Sequence, residues 1–194
     1  PLMEDAPRTK RRRTDTDTDA ETETEPETPP TRSTEYWFDD GNIILEVEST
    51  QFRLMKSILS KHSSVFREMF TMPLPADEPT IENCPVVVLS GDTAQDWTLF
   101  LGAIFPKSHP GELPTFSLLA AILRLSKKYD FPLFRQKCVR RLREACPTSL
   151  KDYNDFSKGW KSFNSIDSEN QDIRLPLISL AREAGLPSLL PLSY

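Results

Sequence analysis

Residues 51–70 read QFRLMKSILSKHSSVFREMF, and their periodicity changes partway along the stretch. The first six residues alternate, with Phe52 and Leu54 on one side, which is typical of a β-strand. Two short segments with helical spacing follow, ILSKH and VFREMF, and each comes after a serine that can serve as an N-cap. The second segment places three apolar side chains on one helix face: Phe66, Met69 and Phe70. The stretch therefore predicts a strand that leads into two short helices.

The residues before this stretch complete a predicted β-hairpin. NIILEVE, residues 42–48, places its odd-numbered apolar side chains on one face and its glutamates on the other. Ser49 and Thr50 can then turn the chain into the second strand. Recognisable folded pattern begins at YWF, residues 36–38, and the DDG that follows it is a turn signal.

The residues after this stretch predict a buried strand and an amphipathic helix. Prolines in MPLPADEP, residues 72–79, end the second helix, and PVVVLS, residues 85–90, is an apolar β-branched run. Asp92 and Gln95 have the spacing of a capping box for the next helix. That helix carries an unbroken apolar stripe: Trp97, Phe100, Leu101, Ile104 and Phe105.

The C-terminal half predicts three further helices. TFSLLAAILRLSKKYDF, residues 115–131, is apolar over more than one stripe, as a central and largely buried helix would be. Pro132 suits the first turn of the helix that follows. After a polar segment, a last helix is predicted over residues 176–184, with Gly185 as its C-cap.

Residues 1–34 have almost no large apolar side chains, so we interpret them as a disordered tail. An acidic run alternates threonine with carboxylates over residues 15–27 and could accept phosphate, although a solvated linker is the favoured interpretation. RTKRRR, residues 8–13, is a basic cluster of the nuclear-import type. Its cationic residues are Arg8, Lys10, Arg11, Arg12 and Arg13.

Several functional classes lack the residues that their chemistry needs. The three cysteines have no CxxC spacing, and two isolated histidines, His62 and His109, do not make a metal site. The sequence has no G-x-S-x-G elbow and no glycine-rich phosphate loop. We therefore predict no catalytic residues, no metal and no cofactor. The basic helix over residues 135–143 is interpreted as a solvated face, not as a nucleic-acid patch, because it has few aromatic residues and no helix-turn-helix signature.

The order of hairpin, two short helices, strand and three longer helices resembles the BTB/POZ domain, an α+β interaction fold. The resemblance is strongest over residues 42–70, where NIILEV, Phe52, Lys56, ILS and the spaced phenylalanines follow the family pattern. It continues through VVLSGD, WTLFLGAIFP and AAILRLSKKYDF and covers about residues 36–147. Within the family, the chain looks most like the BTB proteins of mushroom-forming fungi. LISLAREAGLPSLLP also resembles the segment after the domain in those proteins. The resemblance implies a small sheet with a hairpin, about five to six helices and a short helical C-terminal extension over residues 148–194.

The chain departs from the family pattern in three places. Longer members carry an ordered N-terminal helix and strand that swap between subunits, where this chain has an acidic tail broken by prolines. Many members have an aspartate and a histidine where this chain has Asn42 and Met55, and in those proteins the aspartate helps to form a charged pocket at the dimer interface. Members that recruit cullin-type ubiquitin ligase scaffolds often carry an apolar-x-Glu motif after the second helix, where this chain reads TMPLPADEP.

From the resemblance we expect a non-enzymatic protein–protein interaction module that self-associates or acts as an adaptor. A substrate adaptor for a cullin-type ubiquitin ligase and a nuclear transcription-associated regulator are the alternatives. The expected partners are proteins, and a homodimer or a cullin scaffold are the candidates. We expect neither direct nucleic-acid binding nor membrane binding. The expected location is intracellular, in the cytoplasm or the nucleus. The candidate interaction surface consists of Phe66, Met69, Phe70, Met72 and Leu74.

Overall fold

The computed structural model describes residues 29–73, 79–106, 114–145 and 174–186. The strands in these ranges are β1 (Thr31–Trp37), β2 (Ile43–Val47), β3 (Thr50–Leu54), β4 (Thr80–Ile81) and β5 (Cys84–Val88). The helices are α1 (Lys56–His62), α2 (Ser64–Met69), α3 (Ala94–Ile104), α4 (Phe116–Lys128), α5 (Pro132–Ala145) and α6 (Arg174–Ala184). The predicted α+β class, with a small sheet and about six helices, is confirmed.

The sheet has the strand order β1-β3-β2-β5-β4. β2 and β3 form the predicted antiparallel hairpin, in which Leu45 pairs with Phe52. β5 lies parallel to β2, so α1 and α2 form part of the connection that crosses between them. Glu48 in the hairpin turn has a φ of 52°, and its carboxylate accepts a hydrogen bond from the backbone N–H of Ala94 at 3.0 Å. The hairpin turn therefore helps to position the start of α3.

β1 lies partly inside the segment that the sequence assigns to the tail. Residues 31–34 belong to this strand, which pairs parallel to β3, so ending the tail at residue 34 is wrong. The sequence pattern misses β1 because only Tyr36 in it is buried. Backbone hydrogen bonds and an ion pair between Arg32 and Glu82 at 2.6 Å hold the strand in place of apolar burial. Residues 1–28, with the rest of the predicted tail, lie outside the described residues.

One face of the sheet packs against the helices to form the main core. The odd-numbered side chains of β2 are buried there, together with Phe52 and Leu54 of β3, as their alternation predicts. Ile44, Cys84 and Val86 form a smaller apolar cluster. At the centre of the main core lies a group of aromatic rings, which we call the aromatic cluster: Phe66, Trp97, Phe100, Tyr129 and Phe131.

Helix capping differs in detail from the prediction. Ser63 caps α2 by accepting a hydrogen bond from the backbone N–H of Phe66 at 3.0 Å, as expected. α1 begins earlier than predicted, and its first N–H group, from Lys56, donates to the side-chain oxygen of Asn42 at 2.8 Å. Thr93, and not Asp92, caps α3. The Asp92 carboxylate instead bonds to side chains, which the sequence spacing alone does not reveal.

The last described helix, α6, packs against α4. Its buried side chains extend the main core: Leu177, Leu180, Ala181 and Ala184, followed by Leu186. Gly185 has a φ of 67° and terminates α6, as the sequence predicts. Lys127 of α4 and Arg135 of α5 donate hydrogen bonds to the last carbonyl groups of α6, which satisfies acceptors that a helix end leaves unpaired. The C-terminal extension therefore docks on the domain through α6. Residues 146–173 and 187–194 lie outside the described residues.

Candidate functional site

The end of α2 exposes apolar side chains, and we call Met69, Phe70 and Met72 the α2 surface. Met72 is 61% exposed, which places it among the most exposed large apolar side chains in the described residues. Met69 and Phe70 are half-buried and pack against the main core from outside. The backbone N–H of Met72 donates to the carbonyl of Met69 at 3.2 Å, so this turn is defined by backbone hydrogen bonds. The backbone therefore holds the exposed Met72 in a defined position, while its flexible thioether side chain can adapt to a partner.

The structure separates the residues of the predicted interaction surface. Phe66 is fully buried in the aromatic cluster, so including it in a contact surface is wrong. Phe66 lies three residues before Met69, so helical spacing puts both side chains on one face. Along α2, however, this face is buried in the core at Phe66 and reaches the solvent towards the end of the helix. Leu74 lies outside the described residues. The ammonium group of Lys56 lies 5.6 Å from the centre of the Phe70 ring and adds a charged rim to the α2 surface.

His62, Ser63 and Ser64 have structural contacts. The His62 ring contacts the edge of Phe134 with the ring centres 5.6 Å apart. The Ser63 hydroxyl donates to the carbonyl of Tyr129, and the Ser64 hydroxyl donates to the carboxylate of Asp130. These bonds tie the α1–α2 junction to the turn between α4 and α5. Both hydroxyl groups are therefore engaged in contacts between elements of the fold.

The described cysteines are buried as apolar side chains. Burial raises the pKa of the Cys138 thiol to about 12, so the thiol remains protonated near neutral pH and is a poor nucleophile. The Cys84 thiol donates to the carbonyl of Gly41 at 3.3 Å. Within the described ranges, no group of three or more histidine, cysteine or acidic side chains is placed to hold a metal ion. His109 and Cys146 lie outside these ranges.

A buried carboxylate connects the β5–α3 loop to α4. The Asp92 side chain is 5% exposed and accepts hydrogen bonds from the Trp97 indole N–H at 3.1 Å and from the Tyr129 hydroxyl. The ammonium group of Lys128 lies 2.7 Å from the other carboxylate oxygen. We call these four side chains the Asp92 network. It satisfies the polar atoms of two aromatic side chains at the border of the aromatic cluster.

The Asp92 network gives a prediction for alkaline pH. Burial raises the pKa of the Tyr129 phenol, and the hydrogen bond to Asp92 and the charge of that carboxylate raise it further. The unfolded chain loses this proton above the ordinary pKa of 10.0, whereas the folded chain retains it. The contribution of Tyr129 to stability is therefore complete below pH 10 and decreases above it, by up to about 1.4 kcal/mol per pH unit. Urea unfolding at pH 8, 9.5 and 11 should show a steeper loss for the wild type than for Tyr129→Phe. Parallel pH dependences would contradict this assignment.

None of the described helices is both long and apolar enough to cross a bilayer.

A family model described as the BTB/POZ domain matches residues 37–145, more than half of the chain. The chain is also similar to "BTB and MATH domain-containing protein 45" of Caenorhabditis elegans, with 26% identity over 144 residues, which covers 72% of this chain and 28% of that protein. The chain therefore spans less than a third of the length of this relative.

Proposed function

The chain belongs to the BTB/POZ domain family, and from that premise we propose that it is a non-enzymatic interaction module that binds a protein partner through the α2 surface. Family membership implies protein–protein interaction. The choice of surface rests on one observation, the exposure of Met72 beside half-buried Met69 and Phe70. Covering such an apolar side chain with a partner removes it from water, and the flexible thioether adapts to the shape of what covers it.

Self-association is the form of this function that we propose first. Asn42 stands where many family members have the aspartate of a charged dimer pocket, and its side chain is engaged by the backbone N–H of Lys56 at 2.8 Å. A dimer of this chain would therefore depend less on that charged pocket and more on apolar contact. The α2 surface supplies apolar atoms with the ammonium group of Lys56 beside them, and an apolar centre with a polar edge is the usual composition of a protein interface.

We expect Met72→Asp to weaken partner binding by at least tenfold without unfolding the domain. An exposed side chain contributes little to stability, typically within about 0.5 kcal/mol, whereas a carboxylate buried by a partner opposes binding strongly. The measurement is light scattering after size exclusion, together with mass spectrometry of proteins that the tagged chain retains from an extract of its source. Leu133→Asp is the matched control, because Leu133 is also exposed and apolar but lies on α5.

The outcomes separate the forms of the proposal. Loss of a dimer in Met72→Asp, but not in Leu133→Asp, supports self-association. A cullin scaffold that is retained by the wild type and lost with Met72→Asp supports the adaptor alternative instead. If both variants behave as the wild type does, the α2 surface is not the site of contact.

Three narrower expectations remain proposals. The import cluster, Arg8, Lys10, Arg11, Arg12 and Arg13, lies outside the described residues, and a role as a nuclear transcription-associated regulator depends on it. A location in the nucleus would depend on the same cluster, and without its action we expect the chain in the cytoplasm. The narrower resemblance to BTB proteins of mushroom-forming fungi is proposed from the sequence of the LISLAREAGLPSLLP segment alone.

A further inference from the structure

A groove of about 660 Å³ runs along α5, away from the residues of the α2 surface. Most of its lining belongs to one face of α5, with positions that repeat every three or four residues: Pro132, Arg135, Gln136, Val139, Arg140 and Arg143. Leu186, which follows α6, lines it as well. The C-terminal extension therefore contributes one residue to the wall of the groove.

The lining of this groove is basic. It contains three arginines, Arg135, Arg140 and Arg143, against a single carboxylate, Asp130. The Asp130 carboxylate already accepts a hydrogen bond from Ser64. The Arg135 guanidinium donates through one terminal nitrogen to the carbonyl of Ala184 at 2.8 Å, and its buried Nε–H has no acceptor among the described residues. Among the residues that line the groove, arginines therefore outnumber carboxylates, which favours an anionic ligand over a cationic one.

The groove also has apolar walls, which distinguishes it from a solvated basic helix face. Pro132, Val139 and Leu186 line it together with the arginines. A mixture of apolar wall and guanidinium groups suits an acidic peptide, whose backbone and small side chains pack while its carboxylates pair. A nucleic acid is less suited, because none of the described residues that line the groove is aromatic, so the lining offers bases no ring to stack on.

We propose that this groove binds an acidic peptide segment, and that the segment is residues 15–27 of this chain. Seven of these residues are acidic, and they occupy every second position: Asp15, Asp17, Asp19, Glu21, Glu23, Glu25 and Glu27. In an extended chain, alternate side chains lie on one side at intervals of about 6.6 Å. Three successive carboxylates therefore span about 13 Å, close to the rise of about 12 Å between Arg135 and Arg143 along a helix.

The length of the chain before β1 allows this contact. From Asp15 to Thr31 an extended chain reaches about 50 Å, whereas a domain of this size is about 35 Å across. The acidic segment can thus reach α5 on its own domain or on a second copy. Tethering raises its effective concentration to the millimolar range, so even weak pairing would be populated. This inference does not depend on the α2 surface.

The test uses the chain of residues 1–194 with its seven acidic residues at 15–27 replaced by the corresponding amides. A fluorescent peptide of residues 14–28 is titrated against this tail-neutralised chain, with binding measured by anisotropy at about 50 mM salt, where charge pairing is weakly screened. We expect saturable binding that weakens by about tenfold when Arg140 and Arg143 are both replaced by serine, since each exposed charge pair contributes up to about fivefold. The wild-type chain should bind the peptide more weakly than the tail-neutralised chain, because its own segment competes.

The matched control removes the same charge from the same helix. Lys137 and Arg141 are exposed and do not line the groove, so replacing both with serine should change binding by less than twofold. Equal losses in the two double variants would overturn the groove as the site. Equal peptide binding by wild-type and tail-neutralised chains would overturn the intramolecular occupant. A competition experiment adds a single-stranded oligonucleotide of 15 thymidines to the bound peptide. If it displaces the peptide at a lower concentration than unlabelled peptide does, and if this displacement requires Arg140 and Arg143, the groove would be assigned to nucleic acid instead. The Met72→Asp variant should retain full peptide binding, which separates this test from that of the proposed function.

Discussion

Phe66→Ala is expected to lower the free energy of unfolding by about 3–5 kcal/mol. Phe66 is fully buried, and four aromatic rings surround it. The centre of its ring lies 5.0 Å from that of Tyr129, 5.7 Å from Phe70, 6.0 Å from Trp97 and 6.1 Å from Phe131. Truncation would remove these contacts and leave a cavity that rigid rings on separate helices and loops cannot collapse to fill.

Urea unfolding followed by circular dichroism measures this loss. The matched control is Phe105→Ala, because Phe105 is half-buried at the end of α3, where its ring lies 4.9 Å from Phe38. We expect the control to lose about half as much or less, since a half-buried ring forfeits less burial. A loss below about 1 kcal/mol for Phe66→Ala would contradict its position in the core and would return it to the candidate interaction surface.

Asp92→Ala is expected to lower the free energy of unfolding by about 2–4 kcal/mol. The substitution leaves the Trp97 indole N–H and the Tyr129 hydroxyl without their acceptor, and both groups lie in partly buried surroundings. It also removes the carboxylate that pairs with Lys128. Unsatisfied buried donors carry the full penalty of their desolvation, so the loss exceeds the value of an ordinary surface hydrogen bond.

Two further variants test this reasoning by the same unfolding measurement. Asp92→Asn retains an oxygen that can accept from Trp97 or Tyr129, so its loss should be smaller than that of Asp92→Ala. Asp96→Ala removes a more exposed carboxylate, 3.2 Å from Arg124, and should cost about 1 kcal/mol or less. Equal losses for Asp92→Ala and Asp96→Ala would show that burial does not determine how much the Asp92 network contributes to the free energy of unfolding.

Much of the central fold could be predicted from the sequence because its periodicities are strong. The hairpin of β2 and β3 follows from strict alternation, and Gly185 at the end of α6 follows from the requirement for a positive φ. β1 could not be predicted, because it is held by backbone pairing with β3 and leaves most of its side chains exposed. A strand that is held mainly by backbone hydrogen bonds does not need the alternating apolar side chains by which a strand is predicted from sequence.

The candidate site could be predicted only in part, for a related reason. Helical spacing puts Phe66, Met69 and Phe70 on one face, but it does not indicate where along the helix the covering neighbours stop. The aromatic cluster covers Phe66, whereas Met72 lies beyond its edge. Similarly, the basic character of residues 135–143 is visible in the sequence, but the sequence does not reveal that Leu186 lines the same groove as these residues.

By itself, the sequence determined the order of the central elements, because this order depends on local periodicity, and the resemblance of its motifs to the BTB/POZ domain indicated the fold class and the family. The tertiary structure decided which apolar side chains are core and which are surface, how Asp92 is used, and that α6 docks on α4. These features depend on contacts between residues far apart in the chain, such as Asp92 with Tyr129 and Arg124 with Glu183. Their energies come from burial and from paired polar groups, which are properties of assembled neighbours and not of spacing along the sequence.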